Sequence, residues 1–170
     1  RTLTAVDSVI LVVDSAKGVE EQTERLMHVC RMRNTPVIIF VNKLDREGRP
    51  AFELMDELED KLQIAARPLT WPIGMGQSFK GVYNLHDRNL YLFQPGKTVV
   101  EDERLLLSDL HAPAVDHELG TAAAQLREDV ELIDGIYDEL NLDEYLAGNV
   151  APVFFGSALN NFGVRELLET

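Results

Sequence analysis

Three polar residues with the chemistry to bind a small molecule follow an apolar run near residue 40. Asn42, Lys43 and Asp45 come after five apolar residues in a row, Val-Ile-Ile-Phe-Val. Pro36 cannot donate a backbone hydrogen bond and so suits the start of a strand, and the apolar run is typical of a strand buried on both faces. Ligands of open α/β sheets bind outside the carboxyl ends of the strands, so the sequence predicts a ligand site here.

The order Asn-Lys-x-Asp resembles the guanine-recognition motif of GTPases, and there is a chemical reason for that pattern. An ionised Asp45 accepts two parallel hydrogen bonds from the ring N–H and the exocyclic amine of guanine, whereas adenine leaves the carboxylate desolvated and unpaired. Sites built in this way reject the wrong analogue by about 10⁴- to 10⁵-fold. The aliphatic stem of Lys43 can lie over the plane of the base, and the Asn42 amide can connect neighbouring loops.

A second motif of this kind lies near the end of the sequence. The apolar residues 153–155 are followed by a glycine and then by Ser157, Ala158 and Leu159. A Ser-Ala pair after a strand resembles the second half of a GTPase base site. The resemblance implies that the Ala158 N–H binds the guanine carbonyl and that the Ser157 hydroxyl supports Asp45, with Leu159 in the same loop.

A further apolar run and a helical pattern must position the first motif. Residues 9–13 are all apolar and end at Asp14, and residues 22, 26, 29, 30 and 33 recur at helical spacing. A strand, a helix and a strand in this order predict two parallel neighbouring strands, because such crossovers are right-handed. Cys30, the sole cysteine, is expected to be a small core residue of the helix.

Composition limits the class of protein. The 170 residues are 45% hydrophobic and 26% charged, which is typical of a globular chain with a buried core. One cysteine excludes an internal disulfide, and no apolar run reaches the roughly 20 residues of a membrane span. We therefore expect a cytoplasmic protein without a membrane partner. Because the sequence begins at Arg1, we also expect a piece of a longer protein.

The stretch between the two motifs is longer than a simple crossover needs. About a dozen residues suffice, so residues 64–150 are predicted to be an inserted α+β subdomain between 1–63 and 151–170. Aromatic, β-branched and turn residues in 69–100 predict a small antiparallel sheet, and an apolar stripe in 121–140 predicts a helix. The insertion has 6 basic and 15 acidic residues, which disfavours direct contact with nucleic acid.

Longer stretches point to one family. They are Trp-Pro-Ile-Gly-Met-Gly at 71–76, Phe-Lys-Gly-Val-Tyr at 79–83, Leu-Tyr-Leu-Phe at 90–93, residues 155–164, and the opening residues 1–7. In this order they resemble the bacterial peptide chain release factor 3 family of translational GTPases, with the elongation factor G family as the nearest alternative. The resemblance implies an α/β fold, a partial P-loop-GTPase-like three-layer parallel sheet with an inserted α+β subdomain.

The same resemblance implies a function and its partners. The ligand would be GTP or GDP, and the partners would be the ribosome and the class I release factors, which the protein would help to dislodge in translation termination. The other class of function left open is a protein-docking module, in which the acidic face of the insertion binds a partner. A phosphate loop upstream of this sequence would favour the enzyme.

The chemical half of a GTPase site has no counterpart in these 170 residues. The Pro-Gly-Lys-Thr at 95–98 lacks the earlier glycine of a phosphate loop, because position 91 is a tyrosine. Phosphoryl transfer depends on that loop, on the switch residues and on Mg²⁺, and no Mg²⁺ site is expected here. GTP hydrolysis is therefore expected of a full-length parent protein and not of this chain alone.

The implied strand order also has a consequence for association. In that order residues 9–13 lie beside the strand that carries the phosphate loop, and without this neighbour they form an edge. The run contains no lysine, proline or inward charge to discourage pairing. We therefore expect the chain by itself to self-associate through this edge, unless residues at its amino end cover it.

Overall fold

The computed structural model describes residues 8–44, 46–92, 105–107 and 110–156 of the chain. Its strands are β1 (Val9–Asp14), β2 (Val37–Asn42), β3 (Ala65–Pro68), β4 (Thr70–Ile73), β5 (Gly81–Asn84), β6 (Asn89–Leu92), β7 (Leu105–Leu107) and β8 (Val150–Phe155). Its helices are α1 (Glu21–Met32), α2 (Ala51–Leu62), α3 (Pro113–Leu119), α4 (Thr121–Ile136) and α5 (Leu142–Leu146), with a 3₁₀ turn at Gly76–Ser78.

Four strands form a parallel sheet in the order β1-β2-β8-β3. The predicted strands around residues 9–13, 37–41 and 153–155 are all present, and β1 and β2 are parallel neighbours in register from Val9 opposite Val37 to Asp14 opposite Asn42. Within the described residues β1 is an edge of this sheet. The expected α/β class with a parallel sheet is confirmed.

Helix α1 connects β1 to β2 and packs through a face slightly different from the predicted one. Acidic Glu21 and Glu24 lie in its first turn, where they suit the positive end of the helix dipole. Cys30 is buried as expected, together with Thr23 and Met27. Leu26 and Val29 share the helical spacing of Cys30 but are exposed, because the buried stripe runs through positions 23, 27 and 30.

Helix α2 leads straight back into the parallel sheet. It buries Leu54, Met55, Leu58 and Leu62, and it ends at Gln63, whose left-handed φ of 53° reverses the chain. The next residues form β3, which pairs with β8. The parallel sheet thus takes a strand from just beyond residue 64, while the division into 1–63, 64–150 and 151–170 stays a prediction.

The second sheet is antiparallel, in the order β4-β5-β6-β7. Strands β4 to β6 occupy the stretch predicted to form such a sheet. Helix α4 lies within the predicted helical range and buries Leu126, Val130 and Ile133. Residues 70–136 therefore contain α and β elements of their own.

Trp71 joins the two sheets in one core. Its side chain is 1% exposed, and its ring centroid lies 4.6 Å from that of Phe52 in α2 and 5.4 Å from that of Phe155 in β8. Its indole N–H donates to Asp129 Oδ2 in α4 at 3.1 Å. The antiparallel sheet is thus packed against α2 and the end of β8. No helix in the described part of the chain is long and apolar enough to cross a membrane.

Candidate functional site

Two of the six predicted site residues lie in the described part of the chain. Asn42 is the last residue of β2, and Lys43 follows it directly. The other four, which lie outside the described residues, are Asp45, Ser157, Ala158 and Leu159. The described geometry therefore concerns the strand ends that lead into the two predicted loops.

The backbone at Lys43 adopts a conformation that is uncommon for a residue with a side chain. Its φ of 67° is left-handed, which costs about 1–2 kcal/mol for a non-glycine residue. Three hydrogen bonds hold it: the Lys43 N–H donates to Asn42 Oδ1 at 2.8 Å, and the Lys43 carbonyl accepts from the Arg46 N–H at 3.0 Å and from Ser15 Oγ at 3.1 Å. Because Ser15 is buried, the turn after β2 is supported by the loop after β1.

The Lys43 ammonium is held by the carboxylate that ends β1. Lys43 Nζ lies 3.2 Å from Asp14 Oδ2, and Asp14 Oδ1 accepts from the backbone N–H groups of Ala16 and Lys17 at 2.7 and 3.2 Å. Burial raises the pKa of Asp14, but these hydrogen bonds and the Lys43 charge together outweigh it and lower the pKa below its ordinary value. Asp14 is therefore ionised at neutral pH and fixes the end of the Lys43 side chain, 42% of which remains exposed.

The residue between Lys43 and Asp45 connects the two motifs. The Leu44 side chain is fully buried, and its N–H donates to the Gly156 carbonyl at 3.2 Å. The Gly156 N–H in turn donates to the Val41 carbonyl at 3.0 Å. In the sequence Asp45 follows Leu44, and Ser157 follows Gly156. One backbone hydrogen bond therefore joins the two residues that immediately precede the two predicted base-binding elements.

Sequence reasoning did not predict the supporting roles of Asp14 and Ser15. Both come after the apolar run 9–13. The strand–helix–strand order predicted β1 and β2 as neighbours, but their register cannot be read from the residues. Once β1 and β2 pair with Asp14 opposite Asn42, the carboxylate lies within reach of the residue after Asn42. The rule that parallel strands end at one edge of the sheet was the one indication that Asp14 and Ser15 lie near Asn42 and Lys43.

Histidines and acidic residues form no metal site in the region that the structure covers. Among residues 8–44, 46–92 and 110–156, no group of three or more His, Cys, Asp or Glu side chains is arranged to hold a metal ion. The four histidines are His28, His86, His111 and His117. The arrangement at the ends of β1, β2 and β8 consists instead of the Asp14–Lys43 ion pair, the Asn42 amide, the Ser15 hydroxyl and backbone groups.

Comparison with known protein families identifies this arrangement. The family model of the elongation factor Tu GTP-binding domain matches residues 1–170, which is the entire sequence. The chain belongs to this family. The chain is accordingly part of a GTP-binding domain of the translational GTPase type.

A solved structure supports the fold. The crystal structure of a protein from Thermus thermophilus superposes with a TM-score of 0.66 at 21% sequence identity, over 98% of this chain and 26% of that one. At this identity the likeness concerns the fold alone. The chain spans about a quarter of the length of that structure.

The described part of the site contains two of the predicted side chains. Asn42 lies at the carboxyl edge of the sheet, and Lys43 has its ammonium fixed by Asp14 while 42% of its side chain is exposed.

Proposed function

We propose that the chain binds the guanine base of GTP and GDP at the carboxyl ends of β2 and β8. The observation that supports this most directly is the 3.2 Å hydrogen bond from the Leu44 N–H to the Gly156 carbonyl. It ties together the strand ends that precede Asp45 and Ser157, so a carboxylate and a Ser-Ala loop would approach one base from two sides.

Each proposed residue has a distinct task. Asp45 accepts two hydrogen bonds from the guanine ring N–H and amine, and Ala158 donates its backbone N–H to the carbonyl. Ser157 orients Asp45. Lys43 covers the base with its stem while Asp14 retains its ammonium, and Asn42 links the turn to its surroundings. Leu159 belongs to the loop of Ala158.

For the full-length protein we propose a GTPase of translation termination in the cytoplasm, which binds the ribosome and helps to dislodge class I release factors. Its support is the resemblance of residues 71–76, 79–83 and 155–164 to the release factor 3 family. An elongation-factor-G-like translocation GTPase is equally compatible with the family and the fold. A phosphate loop and Mg²⁺ ligands would come from sequence that is not among these 170 residues.

A second candidate function concerns the surface of α4. Leu132 and Ile136 on this helix are exposed, and Glu128 and Glu131 of the same helix are exposed as well. Apolar groups flanked by carboxylates suit a protein partner with a basic rim. The insertion would then dock a protein partner while the sheet edge binds the nucleotide, so the two functions are compatible.

The base-binding proposal is tested by the Asp45→Asn variant of the full-length protein. An amide presents a donor where the carboxylate presented an acceptor, so the variant should bind GDP more weakly by up to about 10⁴-fold and should prefer xanthosine diphosphate. Titration with both nucleotides measures this. Asp60→Asn, an exposed change on α2, is the matched control and should bind as the wild type does. An unchanged preference for GDP in Asp45→Asn would refute the assignment.

A further inference from the structure

The first strand of the insertion reaches the same edge of the parallel sheet as the base-binding motifs. Strand β3 ends at Pro68, and the last backbone bond on that side of β8 runs from the Leu69 N–H to the Val153 carbonyl at 2.9 Å. Beyond this bond, the Thr70 hydroxyl binds the backbone of β8 in place of a strand backbone. Thr70 Oγ1 accepts from the Phe155 N–H at 2.8 Å and lies 3.4 Å from the Phe155 carbonyl oxygen, to which it donates.

The Thr70 side chain is buried beside a backbone N–H that needs a hydrogen-bond partner. Thr70 is fully buried, and Phe155 is the last residue of β8, two positions before Ser157. A buried N–H without a partner costs about 1–3 kcal/mol. The Thr70 hydroxyl therefore fixes the backbone of β8 just before the predicted Ser-Ala loop.

The turn after β4 holds the other base-binding motif. The Gly76 N–H donates to the Leu44 carbonyl at 2.9 Å, so the Leu44 peptide is bonded on one side to Gly156 and on the other to the insertion. The turn is closed by hydrogen bonds from Ser78 Oγ to the Met75 carbonyl at 2.7 Å and from the Lys80 N–H to the Ile73 carbonyl at 2.7 Å.

Gly76 approaches the motif more closely than another residue would allow. Its φ of 64° is left-handed, and a Cβ at this position would lie 2.5 Å from Glu47 Oε1. Real Cβ atoms do not approach other atoms so closely, so a larger residue displaces the exposed Glu47 side chain and is also strained by the left-handed φ.

We propose that Thr70 and Gly76 are positioning residues for guanine recognition. This inference rests on the proposed function. Thr70 holds the strand end before Ser157, Gly76 holds the residue before Asp45, and one paired strand with its closed turn connects them. The two residues thereby fix the two strand ends that precede the loops proposed to meet the base. A carboxylate that must make two parallel hydrogen bonds is sensitive to its position. In enzymes a misplacement of about 1 Å can lower the rate by about 10²-fold.

The test compares nucleotides that differ by one group on the base. Inosine diphosphate lacks the exocyclic amine of guanine, so the ratio of its Kd to that of GDP measures how well Asp45 is placed. In the full-length protein, Thr70→Val removes the hydroxyl at similar volume, whereas Thr70→Ser retains it. We expect Thr70→Val to reduce this ratio by about 10-fold and Thr70→Ser to keep it within about twofold of the wild type.

A second pair of variants keeps the test decisive if Thr70→Val fails to fold. Gly76→Ala should also reduce the ratio, because a side chain at a φ of 64° strains the turn whose N–H binds the Leu44 carbonyl. Gly120→Ala is the control: its φ of 58° is also positive, so a side chain is strained there as well, but no described atom lies within 4 Å of the place where its Cβ would stand. It should lower stability and leave the ratio unchanged.

The outcomes separate this inference from the proposed function. If Thr70→Val and Gly76→Ala lower the melting temperature while the ratio stays at the wild-type value, both residues are merely structural and the inference is wrong. If the wild-type protein itself does not prefer GDP to inosine and adenosine diphosphates, the proposed function fails instead. A reduced ratio in both variants, with rescue by Thr70→Ser, supports the inference.

Discussion

Strands β1 and β8 have similar apolar sequences but different surroundings. All six residues of β8 are buried, because it lies between β2 and β3. In β1, Leu11 and Val13 are buried while Ile10 and Val12 are 47% and 57% exposed. An unbroken apolar run therefore identifies a strand of a parallel sheet but does not reveal how many of its faces are covered within a given stretch of chain.

The difference can be followed along one row of side chains. Val12, Phe40 and Phe154 are opposite one another in β1, β2 and β8. Phe40 and Phe154 are buried while Val12 is exposed. At the β8 end, residues 137–140 line a cavity of about 530 Å³ together with Phe154. The segment after α4 thus approaches this face of the sheet beside β8.

The largest effect should come from matched substitutions in the two strands. Val153→Ala removes two fully buried methyl groups and should lower the free energy of unfolding by about 1.6 kcal/mol, with more if the cavity does not collapse. Val12→Ala makes the same chemical change at an exposed position and should change it by no more than about 0.5 kcal/mol. Urea denaturation measures both. Equal losses would mean that Val12 is covered in solution and would break the comparison.

An intermediate effect on stability is expected from the groups at the ends of β1 and β8. The Asp14 carboxylate at the end of β1 is charged, whereas the Thr70 hydroxyl that binds the end of β8 is neutral. The pKa of the Asp14 carboxyl is lowered in the folded state, so its contribution is present above the unfolded pKa of about 3.9 and is lost as the pH falls through the lower folded value. The contribution is at most about 1 kcal/mol, because the Lys43 partner is 42% exposed and solvent screens the pair.

Asp14→Asn should therefore reduce the loss of stability between neutral pH and about pH 3. Thr70→Val acts on a neutral hydrogen bond at the end of β8 and should lower stability equally at both pH values. Unfolding curves at the two pH values check this. An unchanged pH dependence in Asp14→Asn would show that the carboxylate does not stabilise the turn.

Val12→Lys should have the smallest effect on stability. It should nevertheless change the association state of the chain measurably. The exposed edge and face of β1 should let the 170-residue chain self-associate, and a lysine on such an edge opposes pairing. The change should cost no more than about 0.5 kcal/mol and should convert a dimer into a monomer in sedimentation. Leu11→Lys would be a poor choice, because Leu11 is buried. A wild-type chain that sediments as a monomer would contradict the expectation.

The sequence predicted those features that depend on local pattern. The apolar runs located β1, β2 and β8, and the rule on strand ends placed Asn42 and Lys43 at the edge of the sheet. It did not predict contacts that depend on distant pairing: Thr70 and Phe155 are 85 positions apart, and Asp14 meets Lys43 through strand register. Asp45, Ser157, Ala158 and Leu159 lie outside the described residues, so their roles stay predictions.

Trp71 gives the molecule a built-in optical probe. It is the sole tryptophan of the sequence, it lies between Phe52 and Phe155, and its N–H is engaged by Asp129 in α4. A buried indole emits at shorter wavelength than one in water. The emission wavelength of Trp71 therefore reports whether the antiparallel sheet remains packed against the parallel sheet. Trp71 directly follows Thr70, so its emission should respond if nucleotide binding moves Thr70. The response can be recorded during a nucleotide titration without attaching a dye.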